Sequence, residues 1–134
     1  MSNSLPNDFQ AILIPVLSVQ DGKAAVNFYK AAFNATALMY MEAPDGTIVA
    51  ELSIGSAHFY VADEAPEQGN NSPQRLGGIS IRLGLLVNHP DELAQKAIAA
   101  GTTEIDPVTD KDYGIRLGRI ADPFGHHWEI YKPL

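Results

Sequence analysis

Hydrophobic positions in the first half of the chain follow a strand spacing and then a helix spacing. Residues 12–19, ILIPVLSV, form an apolar run that is typical of a strand. In the segment that follows, apolar side chains recur every three or four residues, which predicts a helix. They are Ala25, Phe28, Tyr29 and Ala32. Asn34 comes shortly after the last of them and is suited to end a helix in the left-handed conformation.

Two further segments predict a hairpin in the first half. IVAELSI at 48–54 and AHFYVAD at 57–63 alternate apolar and polar residues, and a Gly-Ser turn separates them. The PDG sequence at 44–46 predicts the preceding turn, and ATALMYM at 35–41 predicts an additional strand. The predicted order of the first half is therefore β-α-β-β-β.

The same order recurs after a polar segment that is rich in Pro and Gly. ISIRLGLLV predicts a strand, PDELAQKAIAAG a helix, and TEIDPV, GIRLGRIAD and HHWEIYK three more strands. We therefore expect one α+β domain over residues 1–134 that consists of two tandem β-α-β-β-β modules. The first module covers about 9–64, a linker 65–78 and the second module 79–134.

Composition and charge narrow the possible functions. The chain has a formal net charge of -7 and no segment in which Lys and Arg cluster, so nucleic-acid binding is not expected. No apolar run approaches the ~18 residues of a membrane span, and the start MSNSLPNDFQ lacks the features of a signal peptide. We therefore expect a cytoplasmic protein with no membrane partner. The absence of Cys excludes thiolate metal sites and a cysteine nucleophile.

Alternation along the strands predicts which side chains share a face of each sheet. Apolar residues of one parity are expected to pack under the helices, which leaves the other parity on the opposite face. The residues predicted on that opposite face include Ile12, Ile14, Val16, Ser18, Val49, Glu51, Ser53, His58, Tyr60, Arg82, Gly84, His127, Glu129 and Tyr131. This face is either the solvated side of an antiparallel sheet or the wall of a ligand pocket, and the apolar residues of the first strand favour the pocket.

The segments resemble those of the vicinal-oxygen-chelate superfamily, which includes glyoxalase I, bleomycin-resistance proteins and extradiol dioxygenases, and most of all its PhnB-like branch. The resemblance rests on PVLSVQDGKAAVNFYKAAFNA, PDGTIVAELSIG and GIRLGRIADPFGHHW and on the spacing between them. It implies that the two modules form a cupped mixed sheet with a ligand cavity, usually in a homodimer. It also implies that Arg116 lies at the cavity, although strand alternation alone allows either face.

A metal of this superfamily is normally held by one His or Glu side chain from each of four strands. The resemblance assigns these positions to Ile14, Arg82, Glu129 and, to within about one residue, Tyr60. Isoleucine cannot coordinate a metal, and a permanently protonated arginine repels a cation. Since only Glu129 keeps a typical ligand side chain, we expect that the inherited metal site has been lost.

Two other uses of these residues stay open. An unorthodox cluster of His58, His127 and Glu129 could hold a divalent metal. Arg82 could instead pair with Glu129, or bind the carboxylate or enolate of a ligand through two parallel hydrogen bonds.

The sequence thus predicts a protein that binds a small molecule without a metal or other cofactor. The ligand is of the antibiotic type or a small carboxylate, and the predicted pocket residues are Ile14, Glu51, His58, Tyr60, Arg82, Arg116, His127 and Glu129. The main rival is a metal-dependent lyase, isomerase or dioxygenase in which Glu129 is a metal ligand or a general base. A third hypothesis is that the cavity is vestigial and the protein works through its surface.

Overall fold

The two halves of the chain fold with the same order of elements. The structure is a computed structural model that describes residues 4–134. The first half comprises β1 (Val16–Val19), α1 (Gly22–Phe33), β2 (Thr36–Glu42), β3 (Ile48–Ile54) and β4 (Ala57–Asp63). The second half comprises β5 (Arg82–Leu86), α3 (Pro90–Ala100), β6 (Thr103–Asp110), β7 (Ile115–Ala121) and β8 (His127–Pro133). The predicted pair of β-α-β-β-β modules in an α+β fold is confirmed.

Each half forms its own four-stranded mixed sheet. The strand orders are β1-β4-β3-β2 and β5-β8-β7-β6, and the first pair in each sheet is parallel while the others are antiparallel. The two parallel pairs place Val16 opposite Tyr60 and Gly84 opposite Glu129. These four positions lie on the strands that the resemblance associates with ligands.

Helix α1 begins and ends where the sequence provides caps. The Asp21 carboxylate accepts a hydrogen bond of 3.1 Å from the backbone N–H of Ala24 at the start of α1. Asn34 ends this helix with a φ of 56°, as predicted. The segment predicted as a linker contains a 3-10 turn at Pro66–Gln68 and the short helix α2 at Pro73–Leu76. No helix in residues 4–134 is long and apolar enough to cross a membrane.

A single aromatic core lies between the two sheets. Tyr29 on α1 contacts Phe59 of the first sheet and Trp128 of the second, with ring centroids 5.5 and 5.6 Å away. Phe59 and Trp128 also contact each other directly, at 5.5 Å. Both sheets therefore turn their helix-packed faces toward one core, and their opposite faces point outward, away from it.

Two strands are shorter than predicted. The apolar run at 12–19 forms a strand only from Val16, because Pro15 has no N–H to continue the ladder toward residue 12. Likewise β5 begins at Arg82, opposite the first residue of β8, so residues 79–81 have no partner strand. Ile12, Leu13 and Ile81 are consequently exposed, and Ile81 does not pack under the helices as the alternation had suggested.

Candidate functional site

The outer face of the first sheet carries three of the predicted site residues. Glu51 lies on β3, and His58 and Tyr60 lie on β4, where they alternate with the buried residues Phe59 and Val61. Because Phe59 and Val61 are buried in the core, the register of the strand is fixed. The polar side chains that alternate with them therefore point outward.

Glu51 and His58 form a hydrogen-bonded pair on this face. The imidazole Nδ1 lies 3.0 Å from a carboxylate oxygen of Glu51. In the sheet His58 is opposite Ser53 and Glu51 is opposite Tyr60, so the pair joins diagonal neighbours across adjacent strands. This diagonal lies within reach of long side chains. The sheet therefore holds a carboxylate against one nitrogen of an outward-facing imidazole.

The outer face of the second sheet carries a carboxylate between two arginines. The Arg82 Nε donates a hydrogen bond of 2.7 Å to one oxygen of Glu129. A terminal nitrogen of Arg119 lies 3.5 Å from the other oxygen. Partial burial of Glu129 raises its pKa, but the hydrogen bond and charge of Arg82 and the charge of Arg119 outweigh this effect, so the pKa is lowered overall. Glu129 is therefore held in its ionised form.

His127 lies on the same outer face, two residues before Glu129. Its backbone is opposite Arg82 in the parallel pair. The Nδ1 atom of His127 is buried and has no hydrogen-bond partner among residues 4–134. His127 thus faces outward as predicted, but it does not contact the Glu129 carboxylate through a hydrogen bond.

Arg116 does not join the candidate site. It shares the parity of the buried residues Gly118 and Ile120, and its guanidinium binds Asp91 on α3 through two hydrogen bonds of 2.7 Å. A third bond of 2.8 Å reaches Asp110. The helix side of the sheet supplies both carboxylate partners, which explains why the assignment to the cavity was wrong. Arg119, three residues later, faces Glu129 instead.

Sequence reasoning missed Arg119. The signal was available, because Arg119 alternates with Gly118 and Ile120 in GIRLGRIAD and Ile120 is the large apolar residue that must be buried. Two arginines of opposite parity in one strand made the assignment ambiguous. Only the pairing of Arg119 with Glu129 across β7 and β8 resolves it.

Ile14 lies outside the sheet. The strand pairing places it beside neither the Glu51–His58 pair nor Glu129 with its arginines. It is half-buried in the segment before β1, two residues before Val16, which is the residue opposite Tyr60. An isoleucine at this place can contribute an apolar contact to a ligand but no donor atom for one.

The two outer faces do not meet within one chain. Glu51, His58 and Tyr60 belong to the first sheet and Arg82, Arg119, His127 and Glu129 to the second, and the sheets turn these faces away from the shared core. A cavity of about 240 Å³ lies where β1 and β5 approach each other, and its walls are mainly apolar. Val16, Ser18 and His126 line this cavity, but none of the seven residues above does.

The residues at the four positions that the resemblance assigned to a metal do not fit a metal. Three of the four, Ile14, Tyr60 and Arg82, replace the usual His or Glu, and the remaining carboxylate of Glu129 is already neutralised by guanidinium groups. Among residues 4–134, no three His, Cys, Asp or Glu side chains converge in an arrangement that could hold an ion. On the second sheet, two guanidinium groups therefore surround the one carboxylate that the resemblance assigned to a metal position.

Comparison with known proteins identifies the family. Residues 11–130 match the Glyoxalase/Bleomycin resistance protein/Dioxygenase superfamily. The chain belongs to this superfamily. An uncharacterized protein of Mycobacterium bovis is 37% identical to it over 126 residues, which cover 91% of this chain and 83% of that protein.

Solved structures of other proteins share the fold. TioX from Micromonospora sp. ML1 is 25% identical, with a TM-score of 0.72 over 93% of this chain and 100% of that one. The fosfomycin resistance protein FosX from Listeria monocytogenes, complexed with Mn(II) and sulfate ion, is 14% identical. Its TM-score is 0.70, with 94% of each chain covered. At this identity the likeness to FosX concerns the fold alone.

Proposed function

We propose that this chain is a small-molecule-binding protein of the PhnB-like branch that holds its ligand without a metal. The observation that carries the proposal is the pairing of Glu129 with Arg82 and Arg119. A carboxylate at the superfamily's ligand position would normally meet a metal cation, but here two guanidinium groups supply that positive charge. The ligand is an antibiotic-type molecule or a small carboxylate.

The free side of Arg82 supports a carboxylate ligand. Its Nε is bound to Glu129, while its terminal nitrogens make no hydrogen bond within residues 4–134. The side chain is about half exposed, so these donors face the outer side of the sheet. A guanidinium offers planar donors that match the two oxygens of a carboxylate, and Glu129 holds it in one orientation.

The exposed outer faces support a homodimer in which two chains complete the ligand cavity. Val16 is 63% exposed and Val49 42% exposed on the first sheet, and Leu86 is 61% exposed on the second. Apolar side chains on outward sheet faces favour burial by another surface. The first face carries the acidic Glu51, and the second carries Arg82 and Arg119 around one carboxylate, so their charges are complementary. Pairing the first sheet of one chain with the second sheet of another would enclose both sets of candidate residues.

The rival hypothesis is a metal-dependent lyase, isomerase or dioxygenase. FosX, which shares the fold, was solved with Mn(II). A divalent metal in this protein would need the His58, His127 and Glu129 set, with donors drawn from two chains. The two arginines beside Glu129 weigh against it, because they repel a cation and lower the pKa of the carboxylate that would act as base. The cytoplasmic location stays a prediction.

Two measurements test the proposal. Elemental analysis of protein purified without chelators is expected to find no stoichiometric Zn, Ni, Fe or Mn. A near-equivalent metal that disappears in Glu129→Ala would overturn the metal-free part. In a thermal-shift screen with antibiotics and small carboxylates, a bound carboxylate raises the melting temperature by mass action. Arg82→Gln should abolish that shift, while Lys30→Gln, which removes the same charge from an exposed position on α1, should preserve it.

A further inference from the structure

We propose that Glu51 and His58 form a general-base pair that removes a proton from a carbon acid lying on the outer face of the first sheet. The carbon acid is a small molecule whose C–H bond is activated by a neighbouring carbonyl, carboxylate or comparable electron-withdrawing group. This activity goes beyond the binding role proposed above and needs neither a metal nor Glu129.

The pairing with Glu51 determines which nitrogen of His58 is free to act. An ionised carboxylate only accepts hydrogen bonds, so Nδ1, 3.0 Å away, must carry the proton. In the neutral imidazole the Nε2 atom then keeps its lone pair. Nε2 makes no hydrogen bond within residues 4–134. In that tautomer the sheet presents an oriented nitrogen lone pair to its outer face.

The relative burial of the two groups fits this division of roles. The side chain of Glu51 is 22% exposed and that of His58 is 40% exposed, so the carboxylate is the more covered of the two. A covered carboxylate stabilises the imidazolium that forms when Nε2 takes a proton, and the more exposed ring remains accessible to a ligand. The backbones of both residues are held by paired strands, which keeps the two side chains within hydrogen-bonding distance.

The surroundings of the pair suit a small, partly apolar molecule. Val16 and Val49 provide exposed apolar surface on the same face. Tyr60 is two residues from His58 on β4, which places the two side chains about 7 Å apart along the strand. Its phenol can donate a hydrogen bond to the oxygen on which negative charge develops. Within strands β1 to β4 of the described residues, the charged and titratable side chains on this outer face are Glu51, His58 and Tyr60, and none is Lys or Arg.

Glu129 is less suited to be the base. Arg82 and Arg119 lower its pKa, which weakens its attraction for a proton. His58 has the opposite arrangement, because its hydrogen-bond partner among residues 4–134 is a carboxylate and not an arginine. The first sheet therefore carries the more suitable base.

The proposed step is a simple proton transfer. The lone pair of Nε2 takes the proton, the C–H bond breaks, and its electron pair forms the enolate or equivalent anion. The imidazolium then returns the proton to carbon or releases it to water, so that no oxidant, reductant or other reactant is required.

Ring opening of 5-nitrobenzisoxazole tests this activity directly. In that neutral probe, loss of the C–H proton to a base forms a nitrile while the N–O bond breaks to give a coloured phenolate. The wild-type protein is expected to open the probe at least about tenfold faster than His58→Ala, since a positioned base typically contributes about 10²–10⁴-fold. His89→Ala, which removes an exposed histidine before α3, should retain the wild-type rate. Equal rates for wild type and His58→Ala would overturn the proposal.

The nitrogen of His58 that carries the proton can be identified independently of turnover. Long-range ¹H–¹⁵N spectra of the wild-type protein should show His58 with its proton on Nδ1. In Glu51→Gln the proton should move toward Nε2, and the rate of probe opening should fall severalfold, while circular dichroism confirms that the variant is folded. A wild-type His58 that carries its proton on Nε2 would contradict the proposed role. Because the probe is not a carboxylate and the assay contains no metal, failure here leaves the binding proposal intact.

Discussion

The phenol of Tyr29 donates a hydrogen bond of 2.5 Å to the carboxylate of Asp122 in the core between the two sheets. The same carboxylate accepts a hydrogen bond of 2.9 Å from the indole N–H of Trp128 and bonds of 2.9 and 3.0 Å from the backbone N–H groups of Phe124 and His126. The pKa of Tyr29 is raised well above its ordinary value, mainly by burial and further by the charge of Asp122. One buried carboxylate therefore ties helix α1 of the first module to the turn and strand of the second.

We expect Tyr29→Phe to destabilise the protein by about 2 kcal/mol, because a hydrogen bond to a buried charge is lost. The ring itself stays in place against Phe59 and Trp128. Urea denaturation followed by tryptophan fluorescence measures the change. Tyr113→Phe is the matched control, since Tyr113 is exposed. If both variants unfold at the same urea concentration as the wild type, Asp122 is satisfied without Tyr29.

Gly118 provides the second prediction, because β6 approaches β7 closely at this residue. A Cβ at position 118 would lie 2.6 Å from a methyl carbon of Val108 and 2.8 Å from its backbone nitrogen. Gly118→Ala should therefore displace β6 and lower the free energy of unfolding by about 1–3 kcal/mol. Gly78→Ala should have little effect, since nothing lies within 4 Å of a Cβ there. Similar denaturation midpoints for the two variants would show that β6 can be displaced without lowering the free energy of unfolding.

The alternation of residues along the strands predicted which side chains share each face of a sheet. It did not predict how the faces of the two sheets are oriented relative to each other. Alternation placed Glu51, His58 and Glu129 away from the core because their neighbours are large apolar residues that must be buried. The packing of one sheet against the other depends on contacts between residues far apart in sequence, such as Phe59 with Trp128. Periodicity within a strand contains no information about such contacts.

Charged residues were harder to assign than apolar ones. Arg116 and Arg119 are equivalent in pattern, and their faces are decided by carboxylate partners on other elements, Asp91 and Glu129. Burial gives an apolar side chain one preferred side of a sheet, whereas a long cation can be satisfied on either side. The pairing of Arg82 with Glu129 was anticipated as an alternative because both were expected on the same face.

A third prediction concerns self-association through the outer faces. The wild-type protein should sediment as a dimer at micromolar concentration, and Val49→Asp should shift it to the monomer by placing a carboxylate within the buried surface. Ala24→Asp adds the same charge on the exposed side of α1 and should leave the dimer intact. A wild-type monomer at all accessible concentrations would refute the two-chain cavity and leave the two outer faces as separate sites.

The response to acid depends on Glu64, which precedes the segment between the modules. Hydrogen bonds from the side chains of Arg75 and Ser72, together with the backbone N–H of Ser72, lower the pKa of Glu64 from 4.5 to about 2. Because the folded-state pKa is below the unfolded one, Glu64 contributes stability that is fully present above pH 4.5 and is lost as the pH falls toward 2.

Glu64→Gln should therefore lower the melting temperature at neutral pH and flatten its decline between about pH 4.5 and pH 2, the range set by the two pKa values. Thermal unfolding at intervals across this range provides the measurement. Glu67→Gln changes an exposed neighbouring carboxylate and should leave both the neutral value and the decline close to the wild type. If Glu64→Gln follows the wild-type curve throughout, the hydrogen bonds to Arg75 and Ser72 do not stabilise the folded state.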